Sequence, residues 1–140
     1  MISDSGLFIT FEGGEGSGKS TQVRRLAEAL ADDGLDVVVT REPGGTPEAE
    51  SVRNLLVQRD GGEWSAQEEC LLVLTARSHH VRNVIRPALE RGCIVLCDRF
   101  VDSTLAYQGY GRDMGLDDIY NLHNIILGSF EPDMTFLLDI

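Results

Sequence analysis

The chain has 140 residues, which suffices for one domain with a single hydrophobic core, and its 23 acidic residues outnumber 12 Lys and Arg to give a net charge of −11. This negative charge argues against a polyanion such as nucleic acid as the main partner, so any bound phosphate must meet local basic groups. No apolar run approaches the roughly 18 residues of a membrane span, and the N-terminus lacks a basic leader. We therefore predict a cytoplasmic protein with no membrane partner.

In the first part of the chain, strand patterns alternate with helix patterns. Residues 6–12 form an apolar run typical of a strand. Residues 19–33 repeat apolar positions with helical spacing until Gly34 ends the helix. Residues 35–40 then predict a second strand.

Two helices with clear start signals follow. The dipeptide Thr46-Pro47 predicts an N-cap and a first helical position. Ser65 and Glu68 form a capping box that starts a long helix to about Arg91, with a kink expected at Pro87. The predicted buried side of the first of these helices consists of Val52, Leu55 and Leu56.

The rest of the chain continues the alternation. Residues 93–97 predict a strand that leads into Asp98-Arg99. Helices are expected near residues 103–107 and 116–127, followed by a fourth strand within 134–140.

Apolar strands that alternate with helices predict an open α/β fold, in which helices cover both faces of a parallel sheet. Ligands of such sheets bind beyond the carboxyl ends of the strands. One rim should therefore gather the glycine loop after the first strand, residues 41–46 after the second, and Asp98-Arg99 after the third. No repeat or internal boundary interrupts residues 1–140, so we expect a single domain.

The glycine loop at residues 13–20 fits the P-loop pattern Gly-x4-Gly-Lys-Ser, with a strand before it and a helix after it. Such a loop surrounds phosphates with backbone N–H groups, Lys19 adds a positive charge, and the Ser20 hydroxyl can ligate Mg²⁺. We expect a nucleoside triphosphate here. The predicted phosphate-binding residues are Gly13, Gly14, Glu15, Gly16, Ser17, Gly18, Lys19, Ser20 and Thr21.

Asp98 and Arg99 extend this prediction to the third strand. A carboxylate at the end of an apolar strand, on the P-loop rim, can hold Mg²⁺ together with Ser20. The alternative role for Asp98 is a helix cap. Arg99 beside it brings a cation to the point where phosphates would meet.

The P-loop alone leaves GTPases, motor ATPases and kinases open. The segments FEGGEGSGKST (11–21), TREPGGT (40–46), TARSHH (75–80) and DRFVDSTLAYQGYGR (98–112), in this order, resemble the thymidylate kinase family. The resemblance runs through essentially the whole chain. It implies a P-loop kinase fold, with four of the expected five strands present, and transfer of the γ-phosphate of Mg²⁺-bound ATP to dTMP.

The resemblance also implies roles for individual residues. Lys19-Ser20 would serve the ATP phosphates and Mg²⁺, and Arg99, with Arg53 nearby, would hold the dTMP phosphate. Arg77 would hydrogen-bond the thymine edge, and Tyr107 would select deoxyribose by crowding the 2′ position. The other residues implied at the acceptor site are Glu42, Thr104, Gln108 and Glu15. The implied catalytic set is Lys19, Arg99 and Glu15.

The proposed acceptor needs no general base. Its attacking phosphate oxygen is largely ionised at neutral pH, since the second pKa of a phosphate monoester is about 6. Catalysis would then depend on in-line positioning and on neutralising charge with Mg²⁺, Lys19 and arginines.

Two features depart from the family pattern. Val73 stands where many members place a Phe that stacks on thymine. The P-loop has no basic residue before Lys19, and members of that type bring arginines from a lid after the fourth strand, which would follow Ile140. We expect an N-terminal two-thirds of such a kinase, weakly active or inactive alone, with an exposed apolar edge at residues 134–140.

The resemblance further implies a homodimer formed through the helices of residues 47–91. His79 and His80 lie in this region, and we interpret them as solvated or interface residues, because adjacent helical positions point about 100° apart and do not form a metal pair.

Two alternative functions stay open. One is a different deoxynucleotide or nucleoside kinase. The other is a catalytically incompetent P-loop module that binds nucleotide without a second substrate, although no Asn-Lys-x-Asp-like guanine reader occurs in the sequence.

Overall fold

A computed structural model of the chain describes residues 6–14, 16–58, 60–104, 109, 111–112 and 114–139. The strands and helices in chain order are β1 (Leu7–Glu12), α1 (Lys19–Asp32), β2 (Val37–Arg41), α2 (Pro47–Val57), α3 (Ala66–His80), a π turn (Val81–Ile85), α4 (Arg86–Glu90), β3 (Ile94–Asp98), α5 (Val101–Thr104), α6 (Leu116–Leu127) and β4 (Met134–Leu137). Within these described ranges, no helix combines the length and the apolar character needed to cross a membrane.

The described strands form one four-stranded sheet in the order β2-β3-β1-β4, and every neighbouring pair is parallel. In the middle of this sheet, Val95 of β3 pairs with Phe8 of β1 and with Val38 of β2. The prediction of an open parallel α/β sheet is confirmed. Because all strands run in one direction, their carboxyl ends form a single rim.

Side chains of each strand alternate between the two faces of the sheet, and helices cover both faces. On one face, Phe8, Val95 and Cys97 pack against Val81 and Ile85 of the π turn. The buried cluster on the other face consists of Ile9, Phe11, Val23, Ile94 and Leu96. Burial on both sides explains why β1 and β3 appear in the sequence as nearly continuous apolar runs, whereas the apolar residues of β4 at the sheet edge are exposed.

Both predicted helix starts are confirmed. The Thr46 hydroxyl accepts the Ala49 N–H at 3.0 Å. At the start of α3, Ser65 Oγ accepts the Glu68 N–H at 3.1 Å, and the Glu68 carboxylate accepts the Ser65 N–H at 2.8 Å. These bonds satisfy N–H groups that have no partner inside the helix.

The irregularity expected at Pro87 takes the form of a π turn immediately before it. The segments α3, π turn and α4 follow one another without a break from Ala66 to Glu90. The Arg86 N–H donates to the carbonyl of Val81, five residues back, instead of four as in an α-helix. The wider turn relieves the crowding of the proline ring against the preceding turn.

The predicted buried side of α2 is only partly right. Val52 and Leu56 are half-buried and share a helix face with Ala49, which is fully buried, but Leu55 is 40% exposed. The helix packs against α3, and none of its residues belongs to the described apolar clusters that cover the sheet. A small residue at the contact therefore allows close approach, and the larger apolar side chains stay partly exposed.

We predict that Ser65→Ala lowers the free energy of unfolding by about 1 kcal/mol, because it removes the acceptor that caps α3. Equilibrium unfolding in urea measures this change. The control is Ser51→Ala, on the exposed surface of α2, where the hydroxyl only donates to the Pro47 carbonyl of the same helix. The control should change stability by less than about 0.5 kcal/mol, and equal losses in the two variants would contradict the capping role.

Candidate active site

The carboxyl ends of β1, β2 and β3 bring three loops side by side. The P-loop follows β1, residues 42–46 follow β2, and Asp98 ends β3. Backbone hydrogen bonds tie these loops together, since the Glu42 N–H donates to the Asp98 carbonyl and the Arg99 N–H donates to the Phe11 carbonyl, both at 2.9 Å. The predicted rim is therefore present as one structural unit.

The P-loop encloses a cavity of about 240 Å³ at the start of α1. Gly18, at the N-cap, has a positive φ of 86° and offers no side-chain cap, so the first N–H groups of α1 remain available to a ligand. The Ser17 hydroxyl is buried and has no hydrogen-bond partner in the described part of the chain. Both features fit a bound phosphate. The cavity is lined by Gly14, Gly16, Ser17, Gly18, Lys19, Ser20 and Thr21.

Lys19 and Asp98 meet at the edge of this loop. The Lys19 Nζ lies 3.4 Å from Asp98 Oδ1, and Lys19 is buried while Asp98 is partly exposed. Asp98 and Ser20 line a common cavity of about 530 Å³. Hydroxyl and carboxylate oxygens suit Mg²⁺, which keeps several waters and uses few protein ligands beside substrate phosphates. The two predicted metal residues are thus brought together.

A second main cavity, of about 400 Å³, contains both basic and apolar groups. Four of the predicted acceptor residues line it, namely Glu42, Arg77, Arg99 and Thr104. Apolar walls come from Leu56, Val57, Val73 and Phe100. The aromatic ring of Phe100, the apolar side chains and the few polar groups give this cavity the composition expected for binding a nucleobase and a phosphate.

Arg77 is the most deeply buried cation of this second cavity, with only 2% of its surface exposed. Its Nε donates to Glu42 Oε1 at 2.6 Å and its Nη2 donates to the Thr104 hydroxyl at 2.9 Å. The guanidinium also lies 4.8 Å from the centre of the Phe100 ring. Its Nη1 has no hydrogen-bond partner among the residues that the structure describes. A buried donor without a partner in a residue that lines the cavity marks a hydrogen bond that a ligand could complete.

Glu42, which the resemblance places at the acceptor site, lines this cavity and also holds Arg77. Its Oε1 accepts from Arg77 Nε at 2.6 Å and its Oε2 lies 2.7 Å from His80 Nδ1. One expectation about this region needs correction. His80 was expected in a solvated or interface position, yet it is completely buried. His79, the residue before it in the helix, is partly exposed and forms a hydrogen bond with Thr46. The spacing of three residues between Arg77 and His80, which places both on one helix face, was the available signal.

Arg53 lies behind the wall of the cavity and does not line it. Its Nη1 donates to the Pro43 carbonyl at 3.0 Å. Burial lowers the pKa of Arg53, and the like charges of Arg41 and Arg99 lower it further. Such a cluster of guanidinium groups marks a region where an anion would bind favourably.

Glu12 was missed by the sequence analysis. It is buried at the end of β1, where its carboxylate accepts the Phe100 N–H at 3.0 Å and the Ser103 hydroxyl at 2.6 Å. Between these anchors and β1, Arg99 adopts a positive φ of 71°, which is uncommon for a residue other than Gly. Glu12 thus fixes the backbone on one side of Arg99. Glu12 is the last residue of an otherwise apolar strand, and its partners lie far away in the sequence. Only the topology of the sheet shows which residues they are.

Three of the predicted site residues, Glu15, Tyr107 and Gln108, lie outside the described residues. Val73 lines the second cavity, and among the described residues that line it the aromatic one is Phe100. Arg112 also lines the cavity, where it donates to Glu69 at 2.6 Å and to the Trp64 carbonyl at 3.0 Å.

Comparisons of the sequence and of the structure with known proteins all point to the same family. The sequence profile of the family described as Thymidylate kinase matches residues 11–140. The thymidylate kinases of Ectopseudomonas mendocina and Caulobacter vibrioides are 52% and 55% identical to the chain, over 97% and 96% of its length. The chain spans 65% of the length of each of these relatives. A crystal structure of thymidylate kinase from Ehrlichia chaffeensis matches with a TM-score of 0.88 and 46% identity, covering 96% of this chain and 77% of that one.

Burial raises the pKa of Glu12, more strongly than its hydrogen bonds lower it. The folded protein therefore binds more protons than the unfolded one above the unfolded pKa of about 4.3, and this contribution to stability disappears as the pH rises through the folded pKa. We predict that the free energy of unfolding falls less between pH 5 and pH 8 in Glu12→Gln than in the wild type. Urea unfolding at both pH values tests this, with Glu63→Gln at an exposed position as the control. Identical pH profiles for the wild type and Glu12→Gln would contradict the prediction.

Proposed function

Because the chain belongs to the thymidylate kinase family, we propose that the protein transfers the γ-phosphate of ATP to dTMP, forming dTDP and ADP. One observation carries the proposal. Arg99 lines the cavity of Arg77 and also a neighbouring cavity of about 480 Å³ that is bounded by Gly13 and Gly14 of the P-loop. An arginine between two cavities is suited to the phosphates of a donor and an acceptor.

The donor site is the P-loop. Its N–H groups, the Lys19 ammonium and the Ser20 hydroxyl would hold the ATP phosphates, and Glu15, within the loop sequence, would act toward the sugar and phosphate of the acceptor. Mg²⁺, held by Ser20 and Asp98, would supply positive charge to the phosphate oxygens. The ion pair between Lys19 and Asp98 supports this assignment, since it keeps the ammonium at the mouth of the loop.

The acceptor site is the cavity of Arg77. The available Nη1 of Arg77 and the apolar walls would receive the thymine base, while Arg99 and the arginines near it would receive the phosphate. The Phe100 ring supports recognition of the base, since it offers a flat apolar wall in a chain with Val73 at the usual stacking position. Tyr107 and Gln108 belong to the same proposed site.

The chemistry needs no side chain to remove a proton. The phosphate of dTMP is already largely ionised at neutral pH, since its second pKa is about 6. The residues act instead by positioning two anionic groups and by reducing their repulsion. Buried cations are effective at this because the surrounding dielectric is low and their orientation is fixed.

The first test measures ADP release from Mg²⁺-ATP by the full-length protein, with dTMP, UMP and dCMP as parallel acceptors. We expect turnover with dTMP and little with the other two. Lys19→Ala should lower kcat by about 100-fold or more, because it removes a cation from the phosphates, and Arg25→Ala on the exposed side of α1 should leave kcat unchanged. Equal turnover with all three acceptors, or full activity of Lys19→Ala, would overturn the proposal.

A homodimer through residues 47–91 is part of the proposed function. Its support is the exposure of Leu55, Val57 and Leu71, which leaves apolar side chains of α2 and α3 in contact with solvent.

We predict that Leu71→Glu shifts the full-length protein from dimer to monomer, because a charge cannot be buried in an apolar interface without a partner. Sedimentation velocity measures the change. Ile125→Glu, at a position of α6 that is 77% exposed, should leave the dimer intact. A dimer that survives Leu71→Glu but dissociates with Ile125→Glu would place the interface elsewhere.

A further inference from the structure

We infer that His80 is a positioning residue for recognition of the acceptor, acting through Glu42 on Arg77. The inference rests on the proposed function, because it assumes that Arg77 reads the base of the acceptor. It assigns a role to a side chain that does not line the acceptor cavity.

A continuous chain of buried polar contacts connects His80 to the cavity. His80 Nε2 lies 2.6 Å from the Thr40 hydroxyl, and His80 Nδ1 lies 2.7 Å from Glu42 Oε2. The other oxygen of Glu42 accepts from Arg77 Nε at 2.6 Å, and Arg77 Nη2 continues the chain to Thr104. We call these five residues the buried relay. It joins the end of β2, the face of α3 and the end of α5.

The relay determines where the available nitrogen of Arg77 points. A guanidinium is planar, so two anchored nitrogens fix the direction of the third. One anchor is the Glu42 carboxylate, which could rotate if only one of its oxygens were held. His80 holds the second oxygen, and therefore fixes the plane of the carboxylate and the position of Arg77 Nη1.

The loop after β2 is built around the His80 ring. A Cβ atom added at Gly45 would lie 2.2 Å from His80 Cδ2, 2.3 Å from Nε2 and 2.8 Å from the Thr40 hydroxyl. These distances are far below van der Waals contact. Gly45 is therefore required to let the ring reach Thr40, and this is independent of the hydrogen bonds themselves.

The neutral ring satisfies both contacts when its hydrogen is on Nδ1. His80 then donates to Glu42, and its Nε2 accepts the hydrogen of the Thr40 hydroxyl. The geometry of an Asn side chain can reproduce the donor at Nδ1 but not the acceptor at Nε2, whereas Leu reproduces neither. Comparing the Asn and Leu variants therefore distinguishes the effect of the hydrogen bond to Glu42 from the effect of the volume of the side chain.

The experiment compares His80→Leu, His80→Asn and Thr40→Val in the full-length protein, with dTMP and dCMP as acceptors. We expect His80→Leu to raise the KM for dTMP about tenfold or more, with the KM for ATP unchanged, because a small misplacement of a positioning group has large effects. The ratio of kcat/KM for dTMP over dCMP should fall in His80→Leu and be largely restored in His80→Asn. Thr40→Val should give a smaller change in the same direction, and Thr75→Val, on the exposed side of α3, should give none.

A second readout does not depend on activity. Exchange of the Arg77 Nε–H hydrogen with solvent, followed in ¹H–¹⁵N spectra, should become about tenfold faster in His80→Leu while the backbone amides of β3 stay protected. Unchanged exchange, or loss of protection in β3 to the same extent, would overturn the inference. Should His80→Leu fail to fold, Thr40→Val decides by the same two measurements. If the wild type lacks activity with dTMP, the proposed function fails, and the exchange measurement still decides whether His80 positions Arg77.

Discussion

The ion pair between Glu42 and Arg77 is the interaction on which the acceptor side of the molecule depends. Both side chains are almost completely buried, with exposed fractions of 3% and 2%. Removing one partner of such a pair leaves an uncompensated charge in the interior and costs about 3 to 5 kcal/mol. The pair therefore constrains everything around it, since β2, α3 and α5 must stay close enough to keep the guanidinium and the carboxylate satisfied. The intact pair itself adds little net stability, because the desolvation of two buried charges offsets most of their attraction.

The charge distribution adds a second constraint. The chain as a whole is strongly acidic, yet the groups at the carboxyl ends of the strands include Lys19, Arg53 and Arg99. Carboxylates accompany two cations near these ends, since Asp98 lies against Lys19 and Glu42 lies against Arg77. The pairing keeps cations in place without attracting polyanions to the whole surface. It also means that a bound phosphate must compete with resident carboxylates for the same donors.

Sequence reasoning reached the parts of the structure that follow local rules. The P-loop, the caps at Thr46 and Ser65, and the parallel sheet follow from residue type and spacing over short distances. Glu12 and His80 were missed or misjudged because their partners lie far away in sequence, on other elements of the sheet rim. The burial of Leu55 in α2 was overestimated for a related reason, since a helical pattern of apolar residues shows which side chains share a face but not how much of that face another element covers. Burial and hydrogen-bond partners that depend on tertiary contacts cannot be predicted from the periodicity of the sequence alone.

The π turn before Pro87 has a consequence for how the long helical segment tolerates change. A helix advances by about 100° per residue, so one additional residue in a turn changes the angular phase between the segments on either side. In this chain, the helix before the turn is oriented so that Arg77 and His80 face the loops at the carboxyl ends of the strands. The helix after the turn is oriented so that Ala88 faces the core at the sheet. Deleting a single residue such as Asn83 would restore a regular helix and rotate one half against the other. Substitutions of the exposed Arg82 and Asn83 are thus far easier to accommodate than changes in the length of the turn, and the segment behaves as two helices joined at a fixed angle of rotation.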